Sequence, residues 1–170
     1  MKDAEHRELA LRALGVLIER ANSLLVEEMA LDYKRLAGRI GYPGPLSGRR
    51  FGVEIGKTLR FMAALLDGPA VNGRQVPRIQ CLVVRRDTGV PGAGFFRQPL
   101  PRLSEARVLA RAERDRVAAF GAARWRRVLL RARSRAAAAG ARSCRCPGLV
   151  PIQGRRARVE ETAPCRPTVP

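Results

Sequence analysis

Between residues 3 and 27, Ala10, Leu11, Leu14, Leu17, Ile18, Ala21, Leu24 and Leu25 recur every three or four positions. Glu5, Glu8, Arg12, Glu19 and Arg20 fall between them. That spacing gathers the apolar side chains on one side of a helix, so the segment is expected to be amphipathic and helical. Asp32 can cap a second, short helix over residues 32–40, because its carboxylate accepts free backbone N–H groups of a first turn. Tyr33, Leu36, Ala37 and Ile40 give it a buried side, and Gly41, which tolerates positive φ, stops it. Pro43, Gly44 and Pro45 mark a turn. A third helix is expected from Ser47 or Gly48 to about Leu66, with Gly52, Ile55, Leu59, Met62, Ala63 and Leu66 facing inward. Gly52 and Gly56 cost about 1 kcal/mol each against alanine, and the expected return is close approach to a neighbouring helix.

Residues 67–77 read as a loop, then Ile79–Val84 as a strand, Gly89–Gly94 as a turn-rich tip and Phe95-Phe96 as the start of a short return. Three helices followed by a strand, a tip and a return strand describe a winged helix-turn-helix over residues 1–100, mainly α with a small β-hairpin. An additional helix falls within 101–120, its loose stripe formed by Val108, Leu109, Ala112, Val117 and Phe120. Residues 121–170 are rich in Arg, Ala and Pro, including Arg124, Arg126, Arg127, Arg131, Arg133, Arg135 and the run Ala136–Ala139. They read as a basic, disordered nucleic-acid tail. The alternative is unselected sequence, such as a GC-rich frame translated out of phase. Trp125 among these arginines can stack on a base or be a plain helical residue in that tail.

Charge sharpens this picture. Lys+Arg number 33 against 15 Asp+Glu, a net charge of +18 on 170 residues. Only Lys2, Lys34 and Lys57 are lysine. Residues 1–100 hold 16 cations and 10 acids, whereas residues 101–170 hold 17 arginines and 5 acids. Such a balance favours a polyanionic partner, and double-stranded DNA is the first candidate. No apolar run is long enough to cross a membrane, and the N-terminus lacks the pattern of a secretory signal. The cysteines Cys81, Cys144, Cys146 and Cys165 do not form a disulfide framework, so a cytoplasmic location is expected.

Candidate chemistry is sparse. A single histidine, His6, excludes multi-histidine metal sites and argues against an HNH nuclease site or a Ser-His-Asp triad. Cys144, Cys146 and Cys165 lack zinc-site spacing, and Gly48, Gly52 and Gly56 lack the Gly-Lys-Ser/Thr ending of a phosphate loop. Glu27, Glu28, Asp32 and Glu54 are scattered, and Glu54 with Lys57 reads as an i,i+3 salt bridge. A non-enzymatic module without metal or cofactor is therefore expected.

The third helix carries the functional signal. Wound as a regular α-helix, it turns Arg49, Arg50, Lys57 and Arg60 onto the half facing away from Ile55. These four cations oppose the apolar stripe, as on a helix seated in a major groove. Arg49 and Arg50, at its start, would reach bases or phosphates first, and Arg85 and Arg86 stand at the base of the wing. Phosphate contacts make such binding salt-dependent, and losing Arg49 and Arg50 is expected to cost more than losing Arg12 and Arg20. The alternatives are a solvated basic face, or a protein-interaction or specificity unit of a restriction-type system whose face meets an acidic protein. On the latter reading a nuclease or other protein works in trans.

Tyr33, Leu36, Ala37, Ile40 and Gly41 form a Tyr-x-x-Leu-Ala-x-x-Ile-Gly pattern, and Arg49 with Gly52 an Arg-x-x-Gly helix start. Pro77 and Ile79–Val84 follow, closed by Thr88, Gly89, Val90, Pro91, Gly92, Ala93 and Gly94. Over about residues 10–96 this resembles a winged-helix domain of bacterial and phage proteins, some linked to restriction or HNH endonucleases. It is also similar to the DNA-binding domain of O6-alkylguanine-DNA alkyltransferases and alkyltransferase-like proteins. That resemblance implies DNA binding, with Tyr33 and Arg49 at the positions that handle a flipped nucleotide. The chain departs from the alkyltransferase Pro-Cys-His-Arg motif, having Gln80, Cys81, Leu82 and Val83 instead. Without a neighbouring histidine to lower its pKa, Cys81 reads as a buried apolar thiol on a strand face shared with Ile79 and Val83. Non-catalytic recognition of an altered base stays open.

Overall fold

In the computed structural model, α1 (Asp3–Ser23) is the post against which three other helices pack: α2 (Tyr33–Ile40), α3 (Gly48–Leu66) and α5 (Ala122–Ser143). The structure describes residues 1–143, apart from Leu24, Pro69 and residues 97–99, and describes residues 140–143 by backbone alone. The expectations placed on Leu24, on Cys144, Cys146 and Cys165 and on the rest of 144–170 lie outside the described residues. Within them the chain is mainly helical. Its small sheet pairs β1 (Leu31–Asp32) with β2 (Val83–Val84) in parallel, with Leu31 opposite Val83 and Asp32 opposite Val84.

The periodicity of α1 is realised. Leu9, Ala10, Ala13, Leu14, Leu17, Ile18 and Ala21 are buried. The helix ends at Ser23 rather than near residue 27, and Leu25 is exposed. Arg20 governs the exit. Its Nε donates to the Met29 carbonyl at 2.9 Å and its Nη2 to the Ala30 carbonyl at 3.2 Å and to that of Glu28. Three backbone acceptors in the turn after α1 thus find a donor the helix ladder cannot supply. Asp32 caps α2, its Oδ1 accepting from the Arg35 amide at 2.9 Å. Gly41 ends that helix in the left-handed region at φ 71°.

The bounds of α3 match the expectation, but its inward face differs. Phe51, Ile55, Thr58 and Met62 are buried. Gly52 is exposed, and a Cβ added at Gly52 or Gly56 would meet nothing within 4 Å. Among the described residues no helix approaches these glycines, so the expected close packing is absent. The buried arc is instead shifted towards α1 by Thr58, whose hydroxyl is drawn into that interface.

The expected strand over 79–84 is mostly a 3₁₀ turn, Ile79–Leu82, with only Val83 and Val84 extended. β1 is two residues long and can pair no more than that. The return is no strand either: Ala93–Phe95 forms a second 3₁₀ turn. The hairpin shrinks to one antiparallel bridge between Val84 and Pro91. Cys81 is buried as expected, on the 3₁₀ turn rather than on a strand.

α4 (Leu103–Phe120) buries Ala106, Ala110, Val117 and Phe120, while Val108 and Leu109 from the expected stripe are exposed. The largest departure follows it. Residues 122–143, which composition assigns to a structureless tail, form α5, packed on α1 and α3. Trp125, Val128 and Ala132 are buried in the common core. The Trp125 indole N–H donates to the Val117 carbonyl at 3.2 Å and its ring lies 4.7 Å from that of Phe120. An aromatic buried this way, with its polar handle satisfied, is a core anchor and not a base-stacking platform. The domain therefore runs through α5, and the boundary expected at residue 120 cuts through its core.

Candidate nucleic-acid interface

Three short pieces of chain meet on one side of the molecule: the start of α2, the first turn of α3 and the turn that follows β2. Between them lies a cleft of about 390 Å³ lined by Asp32, Tyr33, Lys34, Arg35, Phe51, Arg85 and Arg86. The parallel pairing of β1 with β2 sets this arrangement, because it places Asp32, and so the head of α2, beside Val84 and the two arginines after it.

Each wall is held locally. After Val84 the chain closes on itself: the Arg85 amide donates to the Val90 carbonyl at 2.9 Å and the Gly89 amide to the Arg85 carbonyl at 2.8 Å. Behind this turn the Gly92 amide donates to the Tyr33 hydroxyl at 3.0 Å. A Cβ at Gly92 would lie 2.6 Å from that hydroxyl oxygen, so glycine is needed for the approach. Burial raises the Tyr33 phenol above its ordinary pKa, against the pull of its bond to Gly92 and of the Arg85 charge. Tyr33 therefore remains a neutral phenol fixed to the turn. Phe51 is anchored by an edge-on contact with Tyr42, the ring centroids 5.6 Å apart.

The charges divide into engaged and free. Arg85 is held by Asp87 through Nη2–Oδ2 at 2.7 Å, and that contact keeps the Asp87 carboxyl below its ordinary pKa. Arg35 leans on Asp32 at 3.4 Å. Lys34, Arg49, Arg50, Arg60 and Arg86 are exposed, and the described residues offer them no side-chain partner. Of the seven residues expected to form the site, Tyr33, Arg85 and Arg86 share the cleft. Arg49, Arg50 and Arg60 are exposed on α3 and do not line it. Lys57 does not join them: its ammonium pairs with Asp3 of α1 at 2.8 Å. The expected Glu54–Lys57 bridge is accordingly replaced by Lys57–Asp3, and Glu54 turns to His6 at 2.9 Å.

Sequence reasoning missed Lys34, Arg35 and Phe51. The signal was available, since Lys34 and Arg35 adjoin Tyr33 in the first turn of α2 and Phe51 adjoins Arg50. Cys81 offers no chemistry here. Burial pushes its thiol up to about 12, assisted by the nearby Glu113 carboxylate, so it is not a thiolate at neutral pH. Among the described residues no His, Cys, Asp and Glu side chains cluster to hold a metal ion, and no helix is long and apolar enough to cross a membrane. The arrangement can attract and hold anions, with the partly buried Tyr33 ring beside the cations. No family model, curated protein or solved structure matches the chain.

Proposed function

We propose that the protein is a non-enzymatic DNA-binding module of the winged-helix type. α3 lies against a groove of duplex DNA with Arg49 and Arg50 leading, and the turn over residues 85–90 rests on backbone phosphate as a minimal wing. One observation carries this reading: Lys34, Arg35, Arg85 and Arg86 line one cleft, while Arg49, Arg50 and Arg60 of α3, the helix whose Phe51 also lines it, are exposed and unpartnered among the described residues. Gly52 and Gly56, with open space above them, support it, because they keep the middle of that helix face low where a phosphate backbone would pass. Binding of this kind is dominated by phosphate contacts and weakens steeply with salt.

The test is fluorescence anisotropy of the full chain on a labelled duplex between about 50 and 200 mM salt. R49A/R50A is compared with R107A/R126A, a charge-matched pair of exposed arginines on α4 and α5. Arg20 cannot serve as the control, since it holds three backbone carbonyls. Nor can a fragment ending near residue 120, which lacks Trp125. A clear loss in R49A/R50A alone supports the reading, and equal losses in both pairs reject it.

The cleft favours a second reading, recognition of an altered or extrahelical base beside Tyr33, between the cations. A duplex carrying one alkylated base would then bind more tightly than its intact counterpart, and that preference would disappear in Y33A. Equal binding of both duplexes would leave the groove reading alone.

A further inference from the structure

Among the described residues, Val53 is the one large apolar side chain that α3 leaves exposed, at 59%. It stands two positions before the buried Ile55, and a helix turns such a residue to nearly the opposite side. Val53 therefore shares the outward half of α3 with Arg49, Arg50 and Arg60, which are exposed and have no side-chain partner among the described residues. Lys57 lies on that half too but is held by Asp3. Glu54, the sole acid of α3, turns away to His6. Val53 is thus an apolar point in a field of positive charge.

A lone exposed valine is ordinary on any surface. The surroundings of this one are not. Gly52 precedes it and Gly56 follows one turn later, and a Cβ at either would meet nothing within 4 Å. One flank of the valine is bare backbone, so a flat group can reach its methyls without displacing a neighbouring side chain. The valine is not part of the core cluster. A β-branched residue also loses rotamer freedom in a helix, so alanine would suit the isolated helix slightly better.

Cations that meet phosphate position a protein on a duplex but carry no sequence information. An apolar side chain set between them can. The one apolar group on the edges of the DNA bases is the thymine 5-methyl, and it lies in the major groove. That groove, about 12 Å wide, admits a helix, whereas the minor groove at about 6 Å does not. We propose that Val53 is a specificity-determining residue that packs on a thymine methyl in the major groove while Arg49, Arg50 and Arg60 hold the phosphates around it. The inference rests on the DNA reading above and adds to it a groove and a base.

The experiment measures the affinity of the full chain, wild type and V53A, at one fixed salt concentration. The probes are an alternating dA-dT duplex, which presents a methyl at every base pair, and the same duplex with every thymine replaced by uracil. That replacement removes the methyl and leaves each hydrogen-bonding group in place. Wild type should bind the uracil duplex about fourfold more weakly for each methyl it contacts. V53A should lose about as much on the thymine duplex and should bind the two duplexes equally. This non-additivity is the diagnostic, because an effect of uracil on duplex shape would act on V53A as it does on wild type. Val53 is exposed, so V53A should fold with a thermal midpoint at or slightly above that of wild type. Equal wild-type binding to both duplexes, a discrimination that persists in V53A, or binding to a mixed-sequence duplex but to neither of these, overturns the inference and leaves the DNA reading standing. Binding to no duplex at all removes the DNA reading and the inference with it.

Discussion

Arg49 and Arg135 bracket the same helix and do opposite work. At the start of α3, Arg49 reaches into solvent with no side-chain partner among the described residues. At its other end, Arg135 of α5 donates to the Leu65 carbonyl at 3.2 Å and to that of Asp67, closing the acceptors that the helix leaves free. The contrast extends across the molecule. Around α2, the head of α3 and the turn after β2, arginines point outward. Other arginines donate inward to backbone carbonyls: Arg20 to residues 28–30, Arg78 to Phe95 and Arg124 to Phe120. A net charge of +18 is thus a poor guide to where a polyanion binds. Guanidinium groups that serve the protein's own backbone are held in place and are not free to follow a phosphate.

This division fails first if α5 is dispensable. W125A removes a fully buried ring and its bond to Val117, and should cost about 3–5 kcal/mol in denaturant unfolding. A loss under about 1 kcal/mol would mean that α5 is not part of the core. The next effect separates the two kinds of arginine. R135A and R20A each strand backbone acceptors and should cost about 1–3 kcal/mol, whereas R49A and R86A should change stability by less than about 0.5 kcal/mol. Thermal or urea unfolding of the four variants tests this, and similar costs for all of them would erase the distinction. Glycine on the open face gives an effect of similar size with the opposite sign. G52A and G56A should each stabilise the chain by up to about 1 kcal/mol, since no neighbour opposes a Cβ there. Both should nonetheless weaken DNA binding if that face lies against phosphate. The smallest expected change is in the salt dependence. For each phosphate that Arg49, Arg50 or Arg86 no longer neutralises after substitution, the slope of log affinity against log salt should fall by about 0.9.

Much of the first half was legible because its stop and start signals act locally. Asp32 and Gly41 define α2 without help from the rest of the fold, and Gly48 and Leu66 bound α3 as the spacing indicates. The strand over 79–84 misled because Ile, Val and Leu suit an extended chain, but the available partner at β1 has only two residues. Composition hid α5. Trp125, Val128 and Ala132 keep helical spacing, yet they sit among arginines and alanines that resemble a biased tail. The candidate site was half legible. Tyr33, Arg85 and Arg86 meet in the cleft, but Lys57 is drawn off by Asp3 across the α1–α3 interface, a partner near the start of the chain that no local pattern reveals. The burial of His6 was invisible for the same reason: its neighbours Glu54 and Thr58 are supplied by a helix far along the chain.

Whether the side carrying the outward arginines meets DNA can be read by mapping amide chemical shifts of the full chain as a duplex is added. The largest changes are expected at Lys34, Arg49, Arg50, Gly52, Gly56, Arg86 and Gly89, with Arg20, Arg124 and Arg135 nearly still. Shifts confined to α4 and α5, or spread evenly over exposed arginines on every side, would contradict it.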